Sequence, residues 1–418
     1  MKRLFTLFIF CIASNCLAEE NAEALFKKLA PSVYQIKLID VASGEKSSIG
    51  TGFQITPDGL LATNYHVISG FARYPDKYQM QYLDNQGATG KLTLQSVDVV
   101  NDLALVKREV SSPMPFFTIA SQAPKRGEEL YSLGNPHDLG MIVVPGTYNG
   151  LKSDSFNDRI HFTGSVNQGM SGGPVVNQLS QVVGINVATS GNQIGFLVPH
   201  DKLLTLFEEY QQTPPENIKA QMSKQLTAYQ DKLINSLVDA PWQVKSLDEA
   251  NVPIIDLPYV RCWGNSNADK KDDPYFTALT SCSLDDDIYI EGEFFTGSME
   301  MHNRFMAAKD LTENKFYRLY SQRIAGVTGN NKVNKNHVGE YQCHHDIVGV
   351  EQQNIKNKAV FCARAYKDFT DLYDVLYLSA SVDKSDKALI SLFVIAGVEQ
   401  KNALKFMQKY MGAVSWKQ

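Results

Sequence analysis

Three segments of this chain hold side-chain types that suit bond-breaking chemistry at neutral pH. The first is Gly169-Met170-Ser171-Gly172-Gly173-Pro174. A hydroxyl nucleophile needs an exposed Oγ on a tight turn, with backbone N–H groups aimed at one point. Glycines on both sides permit that turn and leave room for a substrate. Taken alone, a glycine-flanked serine is only a turn. The second is Thr63-Asn64-Tyr65-His66-Val67, at the end of a predicted strand. An imidazole there can take the serine proton and hand it to a leaving group; taken alone it is an ordinary strand-end histidine. The third is Asn101-Asp102-Leu103-Ala104-Leu105-Val106-Lys107. A carboxylate followed at once by an apolar run is poised for burial, and a histidine Nδ1–H would satisfy it. Its bland reading is a strand cap. Asp98 is the rival carboxylate, but no apolar run follows it.

Side chains 36 and 69 residues apart converge only if a scaffold brings them together. From Ser32 to about Val198 the chain reads as short β runs: Ser32–Leu38, Ser48–Ile55, Gly59–Ala62, Leu103–Lys107, Glu129–Leu133, His161–Thr163, Pro174–Val176, Val182–Asn186 and Gly195–Val198. Gly, Asn, Asp and Pro separate them. This spacing predicts an all-β sandwich or a pair of barrels rather than βαβ units. A helix over Asn21–Leu29 precedes them and stops before Pro31.

Asp201–Tyr210 reads as a short amphipathic helix. A longer one follows, with Thr213 as its expected N-cap, Pro214 at N1 and Glu216 completing a capping box. Ile218, Met222, Leu226, Tyr229, Leu233 and Leu237 make one apolar stripe. It is expected to pack on a neighbouring domain, an oligomer contact being the alternative. Residues 245–418 show β patterns, an apolar run at Ala388–Val398 that reads as a buried strand or helix, and a final helix over Glu399–Tyr410.

The chain has 418 residues, 44% of them hydrophobic and 20% charged, which excludes a wholly disordered or fibrous molecule and suggests two or three domains. The formal charge is −5 and no basic block occurs, so nucleic acid is not an expected partner. Residues 1–18 read as a secretory leader: Lys2 and Arg3, the apolar stretch Leu4–Ala13, and cleavage after Ala18. The apolar stretch is too short to span a bilayer, and no other stretch is expected to span one. Export to the periplasm or the medium follows. With Cys11 and Cys16 in the leader, Cys262, Cys282, Cys343 and Cys362 remain. An even number in an exported chain reads as disulfides. Of the three possible connectivities, the near-neighbour pairs Cys262–Cys282 and Cys343–Cys362 are expected, each worth about 3 kcal/mol by loop entropy. Metal binding is the rival, but no C-x-x-C spacing supports it. His344-His345-Asp346 is read as a surface feature. Cysteine spacings of 81 (Cys262 to Cys343) and 80 (Cys282 to Cys362) raise the idea of a duplication. Each second cysteine is then followed by acidic residues and a strand (Ile288–Phe295; Val375–Val382).

Taken together, the three segments resemble those of the chymotrypsin-fold serine peptidases, specifically the HtrA (Deg) branch. The order His, Asp, Ser is the same. Leu25–Val33, Gly50-Thr51-Gly52-Phe53, Gly134-Asn135-Pro136, Gly184–Ala188 and Ile194–Pro199 resemble further segments of that branch. The likeness covers residues 23–205.

The resemblance implies two six-stranded β-barrels in a peptidase domain (19–204), a helical linker (205–244) and a disulfide-stabilised α+β accessory domain (245–418) where that branch carries PDZ domains. It implies a serine endopeptidase acting on protein or peptide substrates, with no cofactor and no metal. Ser171 would be the nucleophile, His66 the general acid/base and Asp102 the orienting carboxylate. The N–H groups of Gly169 and Ser171 would form the oxyanion hole. Ser165, Val187, Ala188 and Thr189 would line the specificity pocket; none is charged, which favours small or medium apolar P1 residues. Met170 stands where the branch usually has Asn, so no zymogen-type salt bridge is expected there. The alternative is an inactive peptidase fold whose C-terminal domain carries the function by binding.

Overall fold

The structure, a computed structural model, describes residues 22–136, 139–189, 194–327, 329, 331–350 and 354–417. The leader reading of residues 1–18, with Cys11 and Cys16, lies outside them. Helix α1 (Ala22–Leu29) buries Leu25 and Leu29, and one 3₁₀ turn carries the chain into the first barrel.

That barrel is closed and antiparallel, in the order β1 (Val33–Asp40), β2 (Lys46–Gln54), β3 (Leu60–Thr63), β6 (Leu103–Arg108), β5 (Thr89–Asp98), β4 (Tyr78–Leu83), with β4 returning to β1. Helix α2 (Tyr65–Arg73) follows β3. Strands β3 and β6 are buried on both faces. Leu61, Ala104 and Val106 turn into the barrel, while Leu60, Ala62, Leu103 and Leu105 face the second barrel. This is why these strands read as unbroken apolar runs. Strands β4 and β5 were not read from the sequence, because their outward residues are polar and their apolar content is sparse.

The second barrel closes through β8 (Glu129–Gly134), β9 (Ile142–Leu151), β10 (Ile160–Phe162), β13 (Gly195–Pro199), β12 (Gln181–Thr189) and β11 (Pro174–Val176). The short β7 (Thr118–Ile119) adds to β12 in parallel. The architecture is thus two six-stranded antiparallel barrels.

Helix α3 (His200–Gln212) seats Leu203 and Leu206 in the core between the barrels. Helix α4 spans Ile218–Asp239 and starts four residues later than the predicted capping box requires. Pro214 precedes Pro215 and is therefore barred from helical ψ, and Thr213 instead ends α3. Asn217 is the actual cap, its side chain accepting from the Ala220 N–H at 3.0 Å. The predicted stripe is otherwise correct: Met222, Leu226, Tyr229, Leu233 and Leu237 are buried. They lie in one continuous core with the first barrel and the C-terminal region, as expected for packing on a neighbouring domain. Gln221 and Gln225 also bond the backbone at the end of β5 and just beyond it, accepting from the N–H groups of Val97 and Val99 at 3.2 and 3.0 Å. The register of β4 on β5 covers only residues 89–91, so these two glutamines supply partners that a longer β4 would have given.

The C-terminal region opens with β14 (Trp242–Leu247) and β15 (Ala250–Ile255), and the final β25 (Ser415–Trp416) joins β15. Its main sheet is antiparallel and seven-stranded. The order is β16 (Val260–Ser266), β17 (Tyr275–Leu284), β20 (Met299–Ala308), β24 (Lys387–Val398), β23 (Tyr373–Ser381), β22 (Ile355–Ala365), β21 (Gln342–Val350). Helix α5 (Glu313–Ala325) packs over Met306 and Ile390, and α6 (Gln400–Gly412) packs over Phe393 on the other face. The Ala388–Val398 run is therefore a strand covered on both sides. Disulfides Cys262–Cys282 and Cys343–Cys362 form as expected, each across a register pair of a hairpin at one edge of the sheet.

The duplication idea holds for these two hairpins but not beyond them. Residues 288–296 leave the sheet as a separate hairpin, β18 (Ile288–Glu291) and β19 (Phe294–Thr296), whereas 373–381 stay in it as β23. His344, His345 and Asp346 are exposed on β21. Among the described residues no helix is long and apolar enough to cross a membrane.

Candidate active site

The pairing of β3 with β6 brings His66 and Asp102 together. Thr63 opposes Ala104, and two residues further along the Tyr65 N–H donates to the Asp102 carbonyl at 3.2 Å. His66 therefore lies in the first turn of α2, just past the strand end to which the sequence assigned it. Asp102 sits in the tight β5–β6 turn with φ 62°, a left-handed backbone that Asp tolerates better than most residues. Its Oδ1 accepts the His66 backbone N–H at 2.8 Å and its Oδ2 lies 2.6 Å from His66 Nδ1. The Asn64 side chain donates to the Asp102 carbonyl at 2.8 Å and fixes the same turn. Burial alone would lower the His66 pKa. The Asp102 charge and its hydrogen bond outweigh that, and the net shift is upward. Asp98 is occupied elsewhere: it accepts from the Asn101 side chain and backbone at 2.6 and 3.0 Å and shapes the turn.

Ser171 lies in the turn before β11, pressed against the first barrel. Thr51 N–H donates to the Ser171 carbonyl at 2.8 Å, and Thr51 Oγ1 donates to the Gly169 carbonyl at 2.7 Å. Gly172 has φ +83°, and a Cβ there would stand 2.3 Å from Thr51 O and Thr63 Oγ1. Only glycine allows this approach, which sets the serine turn beside Asn64, two residues from His66. The Ser171 hydroxyl makes no hydrogen bond to His66 among the described residues. In substrate-free sites this contact often tightens only once substrate binds.

Within the turn, the N–H groups of Met170, Gly172 and Gly173 donate to Asn167, Asn186 and Met170 carbonyls. Those of Gly169 and Ser171 find no acceptor among the described residues. Met170 is fully buried in the second barrel, its backbone and Cβ packed under Gly134.

Beside His66 opens a cleft of about 540 Å³. Of the four residues named for a specificity pocket, Val187 and Ala188 line this cleft; Ser165 is exposed outside it, and Thr189 is placed only by its backbone pairing with Gly195. Lys152 and Arg159 of the second barrel and Asp286, Asp287 and Tyr289 of the C-terminal region also line the cleft. The β18 hairpin reaches it by docking on α2. Tyr65 OH donates to the Ile290 carbonyl at 2.9 Å, and Tyr74 OH donates to Glu291 at 2.9 Å. The buried Arg73 meets Asp368 at 2.7 Å and Glu291 at 3.3 Å. The acidic run 285–287 is visible in the sequence, but nothing local ties it to His66.

Two antiparallel barrels thus carry a His–Asp pair and a glycine-flanked serine at their junction. Residues 50–185 match the family described as trypsin-like peptidase domain. The chain is similar to serine protease HTRA4 of Mus musculus, 32% identical over 201 residues that make up 45% of this chain and 40% of the mouse protein. It is likewise similar to serine protease HTRA3 of Homo sapiens, 30% identical over 199 residues, 44% of each chain. A solved serine endoprotease from Yersinia pestis aligns with 46% of this chain and 66% of its own, at 26% identity and a TM-score of 0.40. The chain thus spans 40–44% of the length of these two curated relatives.

Proposed function

We propose that the protein is an exported serine endopeptidase that hydrolyses peptide bonds through an acyl-enzyme at Ser171. The supporting observation is the doubly hydrogen-bonded His66–Asp102 pair, with the Ser171 turn seated beside the same backbone. As the Ser171 Oγ–C bond forms at the scissile carbonyl, the hydroxyl proton passes to His66 Nε2. Asp102 holds the Nδ1–H tautomer and stabilises the imidazolium. The oxyanion is received by the unengaged N–H groups of Gly169 and Ser171, a donor there being worth about 10²–10³ in turnover. The C–N bond then breaks as His66 protonates the leaving amine, and water enters by the reverse proton path to release the acid.

The substrates are proteins or peptides. Residues 19–204 would form the peptidase domain, 205–244 the linker and 245–418 the accessory region, with residues 1–18 removed on export. N-terminal sequencing of the exported protein checks that cleavage. A fluorophosphonate probe should label Ser171 in the wild type and not in Ser171→Ala. The substitution should also cost on the order of 10⁶ in turnover of a protein substrate. Failure of the wild type to label or cleave would favour the inactive binding fold, a reading to which the missing Ser171–His66 hydrogen bond also belongs.

A further inference from the structure

The cleft beside His66 has three contributors. The first barrel gives Val99 and Val100, the second gives Val187, Phe196 and Arg159, and the C-terminal region gives Ile288 and Tyr289. Tyr289 stands edge-on to the His66 ring with centroids 6.3 Å apart. The Gly292 N–H donates to its hydroxyl at 3.0 Å, so the ring is held in place from its own hairpin.

Among the other charges around this cleft, three have a charged partner, and Asp286 is held by neutral donors. Lys152 faces Asp285 at 3.3 Å. Asp287 faces Lys332 at 2.9 Å. Asp286 accepts from Ser155 Oγ at 2.6 Å and from the Phe156 N–H at 2.8 Å. Asp102 is committed to His66. Arg159 is the cation of the lining without an ion pair among the described residues. It donates to the carbonyl of its neighbour Asp158 at 2.9 Å. It is half-buried beside Phe196 and the valines. A partly desolvated guanidinium with open donors is a receptor for a carboxylate, which it can bind in bidentate fashion.

We propose that this two-domain cleft is a specificity subsite for an aspartate or glutamate close to the scissile bond of the substrate. Arg159 is its counter-ion, and Tyr289 is the wall contributed by the accessory region. The proposal rests on the peptidase reading and adds its substrate class. A neutral side chain leaves Arg159 without an ion pair, and a basic one beside it meets a like charge.

A proteome-derived peptide library digested by the wild type, Ser171→Ala, Arg159→Gln, Arg159→Glu and Arg159→Lys tests it. In the wild type, Ser171-dependent cleavage should be enriched for Asp or Glu at one fixed position. Arg159→Gln should lower kcat/KM for an acidic peptide relative to its amide counterpart by about 5- to 10-fold. Arg159→Lys should keep part of that preference, and Arg159→Glu should turn it toward Lys and Arg. Tyr289→Ala should admit bulkier side chains at the adjoining position; an unchanged profile would remove the accessory wall from the subsite. Ser171-dependent cleavage without acidic enrichment, or the same enrichment in Arg159→Gln, overturns the proposal and leaves the peptidase standing. Cleavage that is absent, or unchanged in Ser171→Ala, overturns both. Arg159→Lys and Arg159→Gln keep the test open should Arg159→Glu fail to fold.

Discussion

At the scale of single residues, the decisive pair is His66 and Asp102. An imidazole acts as a base only when it is neutral. Since Asp102 raises the His66 pKa, protonation and loss of the base set in above the ordinary value of 6.5 as pH falls. The acid limb of kcat/KM should therefore lie on the high side of 6.5 in the wild type. In an Asp102→Asn variant it should move down, because burial would then act without the opposing charge, and turnover should fall by about 10⁴ through loss of the correct tautomer. A pH–rate profile of both proteins on one peptide decides this; coincident acid limbs would show that Asp102 does not govern the titration. The same carboxylate also takes the His66 backbone N–H, so its position and that of the helix start are set together.

At the scale of elements, α2 is gripped from both sides. Its inner face packs in the first barrel, and Tyr65, Ser69, Arg73 and Tyr74 meet the β18 hairpin. The Arg73 side chain is 1% exposed and lies between Glu291 and Asp368. Removing one member of such a group strands the others' charge, at a cost on the order of 3 kcal/mol. Arg73→Met should lose about that much stability in urea unfolding. Because Arg73 lies two turns beyond His66 on the same helix, kcat should fall while KM changes little, and Arg73→Lys should recover part of the loss. Wild-type kcat in a destabilised Arg73→Met protein would mean that the barrel alone positions the helix.

Sequence spacing could single out His66, Asp102 and Ser171 as one candidate set, because each motif carries its own backbone demand: a strand end, a buried turn, glycines in left-handed or crowded positions. The two doubly buried strands were legible for the same reason. Strands β4, β5 and β9 were not, being polar on one face or interrupted by Pro145 and Gly146. The contribution of residues 286–289 to the cleft depends on a contact more than 200 residues away in the chain, and no local pattern encodes it.

At the scale of the whole molecule, the first barrel and the C-terminal region have no boundary between them in the core. Tyr34, Ile36 and Met80 of the first barrel, Leu226 and Leu233 of α4, and Phe305 and Phe393 of the C-terminal sheet belong to one buried cluster. Cutting the chain after residue 204 would bare the apolar face of α2, leave the Val97 and Val99 backbone without Gln221 and Gln225, and expose Tyr65 and Arg73. Exposed apolar area costs about 25 cal/mol per Å², and a stranded buried cation costs more than its share of area. Residues 22–204 alone should therefore be markedly less stable than the same residues within the full chain. The full chain, in turn, should lose its first barrel and its C-terminal sheet in one calorimetric transition. Two separated transitions, or a fragment that melts where the intact protein does, would show the regions to be energetically independent. Any influence of the C-terminal region on the His66 helix would then have to be carried by the α2–β18 contacts without a shared core behind them.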